Sequence, residues 1–137
     1  MNIAFFLIPK QDVISVDVRS TLRQTLERME HHRYTAVPIV TEDGKYVGTI
    51  TEGDLLWYLK TNPNITFDNS HMHLLSPVPH RSDNKPVRID ARMEDLIRLA
   101  KAQNFVPVVD DMDKFIGIVR RSDIIDYCAK LAFPGNK

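Results

Sequence analysis

Apolar residues recur along this chain in two rhythms, and the succession of rhythms occurs twice. Short continuous apolar runs read as strands, and apolar residues three and four apart read as one face of a helix. The first copy opens on a strand, Val13 to Val18, followed by a helix whose Leu22, Leu26 and Met29 share a face. Two strands come next, Val37 to Val40 and Tyr46 to Ile50, joined by the turn Glu42-Asp43-Gly44-Lys45. A second helix carries Leu55, Leu56 and Leu59. The second copy keeps the order. Its strand runs from Val87 to Ile89 and its first helix bears Met93, Leu96, Ile97 and Ala100. The strands Phe105 to Val109 and Phe115 to Val119 flank Asp111-Met112-Asp113-Lys114, and the last helix bears Ile124, Ile125, Cys128 and Leu131. Ser20 and Asp90 stand where N-caps of the first helices are expected. The pattern predicts an α+β fold of strand–helix–strand–strand–helix, twice.

Residue identities sharpen the repeat. YTAVPIV at 34–40 and GTITEGDLL at 48–56 are echoed by NFVPVVD at 104–110 and GIVRRSDII at 117–125. Pro38, Gly48 and Asp54 reappear 69 positions later as Pro107, Gly117 and Asp123. Upstream, VDVRSTL at 16–22 corresponds to VRIDARM at 87–93, 71 positions later. The second copy is therefore two residues shorter near the end of its first helix, where chains tolerate deletion. This divides the chain into a first repeat at 1–60, a linker at 61–85 and a second repeat at 86–137. The linker holds Pro63, Pro77 and Pro79 among Asn, Ser and His, with a short helical turn expected at His71-Met72-His73-Leu74-Leu75. A copy of roughly 50–60 residues buries too little surface alone. The two are expected to pack together about a pseudo-two-fold axis.

Composition narrows the partners. Lys+Arg and Asp+Glu both number 18, so bulk attraction to nucleic acid or to an acidic membrane is not expected. Cys128, a lone cysteine, cannot form an internal disulfide, which fits a reducing cytoplasm. The run Ile3-Ala4-Phe5-Phe6-Leu7-Ile8 stops at Pro9, is too short to span a bilayer, and lacks the flanks of a signal peptide. It reads as a packing segment.

A hydrophobic-Pro-hydrophobic strand, then Gly-x-hydrophobic-[Ser/Thr]-x-x-Asp at a helix start, resembles the CBS (cystathionine-β-synthase) repeat, twice and over nearly the whole chain. The resemblance implies a regulatory module rather than an enzyme. It also implies a ligand, an adenine nucleotide such as AMP, ADP, ATP or cyclic di-AMP, and a homodimer formed through helices. With no catalytic, transporter or DNA-binding domain expected alongside, output would pass to an effector protein that the sequence does not name. The alternative is a structural dimerisation module with vestigial clefts.

In such pairs each cleft mixes the repeats. By position, cleft one would use Ile14, Tyr34, Thr35 and Ala36 with Arg120, Arg121 and Asp123. Cleft two would use Val87, Asn104 and Phe105 with Thr51 and Asp54. Residue chemistry leaves alternatives beside each role. Thr51 and Asp54 suit helix capping as well as phosphate and ribose recognition. Arg120 and Arg121, which depart from the hydroxyl pattern, suit a solvated strand end or an anion clamp. Phe105 could stack on a base or fill its cleft.

Other motifs carry less. GTITEG at 48–53 matches GxxxxG, but Asp54-Leu55 follows where a P-loop needs Lys-Ser/Thr. His31-His32 end a helix, where cations favour the dipole, and His71 and His73 lack Cys or acidic companions, so no metal site is expected. Ser122-Asp123 has no histidine at a readable spacing, and no catalytic residue is assigned.

Overall fold

The computed structural model describes residues 2–80 and 84–135. Both copies of the expected order are present. The first is β2 (Val16–Asp17), α1 (Leu22–His32), β3 (Ala36–Val40), β4 (Tyr46–Thr51) and α2 (Glu52–Thr61). The second is β5 (Val87–Arg88), α3 (Met93–Ala100), β6 (Phe105–Val109), β7 (Phe115–Arg120) and α4 (Arg121–Ala132). A further strand, β1 (Ile8–Pro9), precedes them.

Contacts divide the chain differently from the repeat boundaries. The described residues of 14–83 form one compact unit, and those of 1–13 with 84–137 form the other. The first unit holds a three-stranded sheet, β2-β3-β4, with β2 parallel to β3 and β3 antiparallel to β4. The second holds a four-stranded sheet, β1-β7-β6-β5, with β5 parallel to β6. Its extra strand is the N-terminal segment: Ile8 pairs with Ile118 and Pro9 with Gly117. The apolar run expected to pack does so. It forms a short 3-10 turn, Ile3–Phe6, whose Ile3 is fully buried in the core with Leu96, Val106, Val119 and Ile124. The other core gathers Leu22, Met29, Val37, Ile39, Ile50 and Leu55, closed by Leu75 and Val78 of the linker.

Glycine 117 makes the arm possible. A Cβ there would overlap the Ile8 carbonyl oxygen, so a side chain would push β1 off the sheet. Its counterpart Gly48 is covered by the linker: a Cβ would lie 2.6 Å from His80 Nδ1. At the repeat offset of 71, Pro79 and His80 stand where Ile8 and Pro9 stand. Pro79 has no N–H to offer, and this crossing forms no strand among the described residues. The turns after β3 and β6 also match. Thr41 and Asp110 each donate their amide to the carbonyl of the residue four on, and the left-handed position is Gly44 in one and Asp113 in the other. The Lys114 amide beside Asp110 holds that carboxyl below its ordinary range.

Several local expectations are corrected. The first strands are two residues long rather than spanning Val13 to Val18 and Val87 to Ile89. Ser20 is not the N-cap of α1: its hydroxyl accepts the Asp17 amide, and Thr21 caps instead, because Gln24 completes a reciprocal box with it. Asp90 is not the cap of α3: Arg92 holds that position, its amide bonded to the Asp95 carboxylate. The linker's helical turn is 3-10 and covers Ser70–Met72. His73 and Leu75 instead exchange backbone hydrogen bonds with Leu22 and Ser20.

Candidate functional site

Within each unit the same junction gathers the candidate residues: the segment before the proline strand meets the start of the second helix. In the first unit Ala36 pairs with Thr51, and the Glu52 amide donates to the Thr35 carbonyl at 3.0 Å. In the second, Phe105 pairs with Arg120, and the Arg121 amide donates to the Asn104 carbonyl at 2.9 Å. Paired strands run to the helix start in both, so a backbone bond from the first helical residue closes each junction.

The chemistry at the two junctions differs. Thr51 Oγ1 accepts the Asp54 amide at 3.1 Å, and Asp54 Oδ2 accepts the Thr51 amide at 3.0 Å. This box satisfies two amides of the α2 N-terminus and holds Asp54 only 3% exposed. The capping alternative thus describes Thr51 and Asp54 in this state. In the second unit Arg120 stands where Thr51 stands in the first, and the corresponding pair is ionic. Arg120 grips Asp123 with Nε at 3.0 Å and Nη2 at 3.3 Å from its two oxygens. Such a fork is geometrically specific, though on a surface it adds little stability.

The two arginines therefore do different things. Arg120 neutralises Asp123. Arg121 commits only its Nε, which donates to the Gln103 carbonyl at 2.9 Å, and its terminal nitrogens make no hydrogen bond among the described residues. A guanidinium fixed at Nε keeps four N–H donors in a rigid plane at the start of α4, where backbone amides and the helix dipole also favour an anion.

Other candidates vary in access. Thr35 is exposed, Asn104 is exposed, and Ile14 and Ala36 are half-buried. The Tyr34 ring is exposed and stacks on His32 at 5.6 Å. Val87 and Phe105 are buried, at 8% and 7% exposure. Gln103, a residue the sequence reading passed over, is buried at 4% and bonded on every side. A glutamine just before a strand carries no sequence signal of this, since its partner is backbone 18 residues away.

Among the described residues there is no group of three or more His, Cys, Asp or Glu able to hold a metal ion. No helix among them is long and apolar enough to cross a membrane.

A family model described as "CBS domain" matches residues 7–61 and again residues 78–130. A CBS domain-containing protein of Dictyostelium discoideum is 24% identical over 98% of this chain and 97% of its own length. The fold is similar to that of CbpB, solved in complex with c-di-AMP, with a TM-score of 0.84 at 22% identity over 96% of this chain and 87% of that one. It is also similar to that of CBSX2, solved in complex with AMP, with a TM-score of 0.75 at 22% identity over 96% and 98%.

Proposed function

Because this chain belongs to the CBS domain family, we propose that it is a regulatory module that binds an adenine nucleotide and passes the event to a partner protein. The observation that carries this reading is Arg121: a guanidinium anchored at Nε, with its terminal nitrogens uncommitted among the described residues, at a helix start two residues from a carboxylate. The anion of the ligand goes to Arg121. The ribose diol goes to Asp123, which a ligand reaches by displacing the Arg120 fork; Arg120 then turns to the phosphate. Thr51 and Asp54 form the matching junction in the first unit, with a hydroxyl in place of guanidinium. Adenine nucleotides in two proteins of like fold, c-di-AMP in CbpB and AMP in CBSX2, support the ligand class.

A thermal-shift screen with AMP, ADP, ATP, S-adenosylmethionine, cyclic di-AMP and adenosine tests the reading. A ligand specific for the folded state adds about 2.7 kcal/mol at a hundredfold excess over its dissociation constant. An adenine nucleotide should raise the transition and adenosine should raise it less. No shift from any of them leaves the dimerisation module as the standing alternative.

A further inference from the structure

We propose that Gln103 is a positioning residue that couples anion capture at Arg121 to the anchoring of the linker's end at Lys85. The inference rests on the nucleotide reading for the identity of the anion, and on geometry for the coupling. Gln103 is one of the few buried polar side chains, and both ends of its amide are used. Its Oε1 accepts the Lys85 amide at 3.1 Å. Its Nε2 donates to the Lys85 carbonyl at 3.2 Å and to the Phe105 carbonyl at 3.3 Å. A side-chain amide that takes both backbone groups of one residue imitates a strand partner, and fixes that residue in position and orientation.

Its backbone faces the other way in the network. The Gln103 carbonyl receives Arg121 Nε, and the next carbonyl, Asn104, receives the Arg121 amide. One residue therefore ties the last linker residue, just before Pro86 and β5, to the guanidinium at the α4 start. The device is particular to the second copy. The repeat-equivalent of Gln103 is Tyr34, which is exposed and stacked on His32. An anion drawn to the Arg121 terminal nitrogens tightens or turns the guanidinium against the Gln103 carbonyl. Any change there reaches Lys85 through a side chain too enclosed to swing aside. Coupling of this kind is reciprocal, so whatever loosens Lys85 weakens the anion.

Hydrogen exchange at the Lys85 amide and calorimetry test this together, on the full chain. Without ligand, Gln103→Leu and Arg121→Ala should each accelerate Lys85 exchange about fivefold, the effect of one lost hydrogen bond, while amides in the middle of β6 and β7 keep their rates. Gln103→Glu keeps the acceptor for the Lys85 amide and should accelerate it less, which covers a leucine variant that fails to fold. In calorimetry Gln103→Leu should weaken AMP severalfold and leave adenosine unchanged, a split that general loosening would not produce. Lys85 exchange at the wild-type rate in Arg121→Ala overturns the coupling, as does equal weakening of AMP and adenosine. If wild-type protein binds neither, the nucleotide reading falls, and the Arg121→Ala exchange rate alone decides whether Gln103 links the two elements.

Discussion

At the scale of single residues the two copies share a framework and differ in charge. Both place an aspartate at the third position of the second helix, and each aspartate is held by the residue three before it. In one case that residue is Thr51, a neutral capping partner; in the other it is Arg120, a cation. Guanidinium–phosphate hydrogen bonds contribute about 1.5–3 kcal/mol each, against about 0.5–1.5 for a neutral one. Arg121→Ala should therefore weaken binding of a phosphate-bearing nucleotide by roughly ten- to a hundredfold, read by calorimetry. Thr51→Ala should change it much less. It should instead cost about 1 kcal/mol of stability through loss of the α2 cap, read by urea denaturation. Equal losses of affinity would mean that the two junctions are equivalent. The sequence made Thr51, Asp54, Arg121 and Asp123 visible because they sit at fixed offsets in a repeat. It did not show the Arg120–Asp123 fork as the counterpart of the cap, nor Gln103, because a side chain bonded to distant backbone leaves no periodicity behind.

At the scale of elements, strand–helix–strand–strand–helix was legible twice, since burial on one face imposes the rhythm of the apolar residues. What the rhythm could not show is which element completes which core. The N-terminal arm adjoins the first repeat in sequence, yet Ile8 and Pro9 extend the sheet of the second-copy unit. The linker, read as a connection, supplies Leu75 and Val78 to the first-copy core and His80 over Gly48. Each unit thus draws on a segment that precedes its neighbour in sequence, and short two-residue strands leave no pattern by which to foresee it. The arm predicts a contrast within four residues. Ile3 is fully buried and Phe5 is 81% exposed. Ile3→Ala should destabilise the fold by about 2–4 kcal/mol, as for other large core truncations. Phe5→Ala should stay within about 0.5 kcal/mol. Urea midpoints read both, and an Ile3→Ala midpoint equal to wild type would mean that the arm is not part of the core. Gly117→Ala should resemble Ile3→Ala, because it displaces the same arm.

At the scale of the whole molecule, each unit presents an apolar groove between its two helices. In the first unit a groove of about 440 Å³ is lined by Leu26, Met29, Leu55, Leu56 and Leu59. In the second a groove of about 460 Å³ is lined by Ile97, Ala100, Ile124, Ile125 and Cys128. Repetition makes these counterparts: Leu55 and Leu56 correspond to Ile124 and Ile125. Leu56 and Ile125 are 59% and 56% exposed, with Leu131 at 65% further along α4. Apolar surface of this extent calls for a cover, and a second copy carrying the same ridges and grooves can supply one in a self-complementary interface. Ridges of leucine and isoleucine also set the interaxial spacing at which facing helices settle, so the same side chains that leave the grooves open specify what fits them. The expected species in sedimentation is a dimer, twice the chain mass of 15.8 kDa. Leu56→Glu and Ile125→Glu each place a charge on the exposed ridge without touching a core, and should shift the protein to monomer with its circular dichroism unchanged. Wild-type protein sedimenting at 15.8 kDa in the high micromolar range would remove the second copy as the cover. Dimer that survives both glutamate variants would place the interface away from these helices.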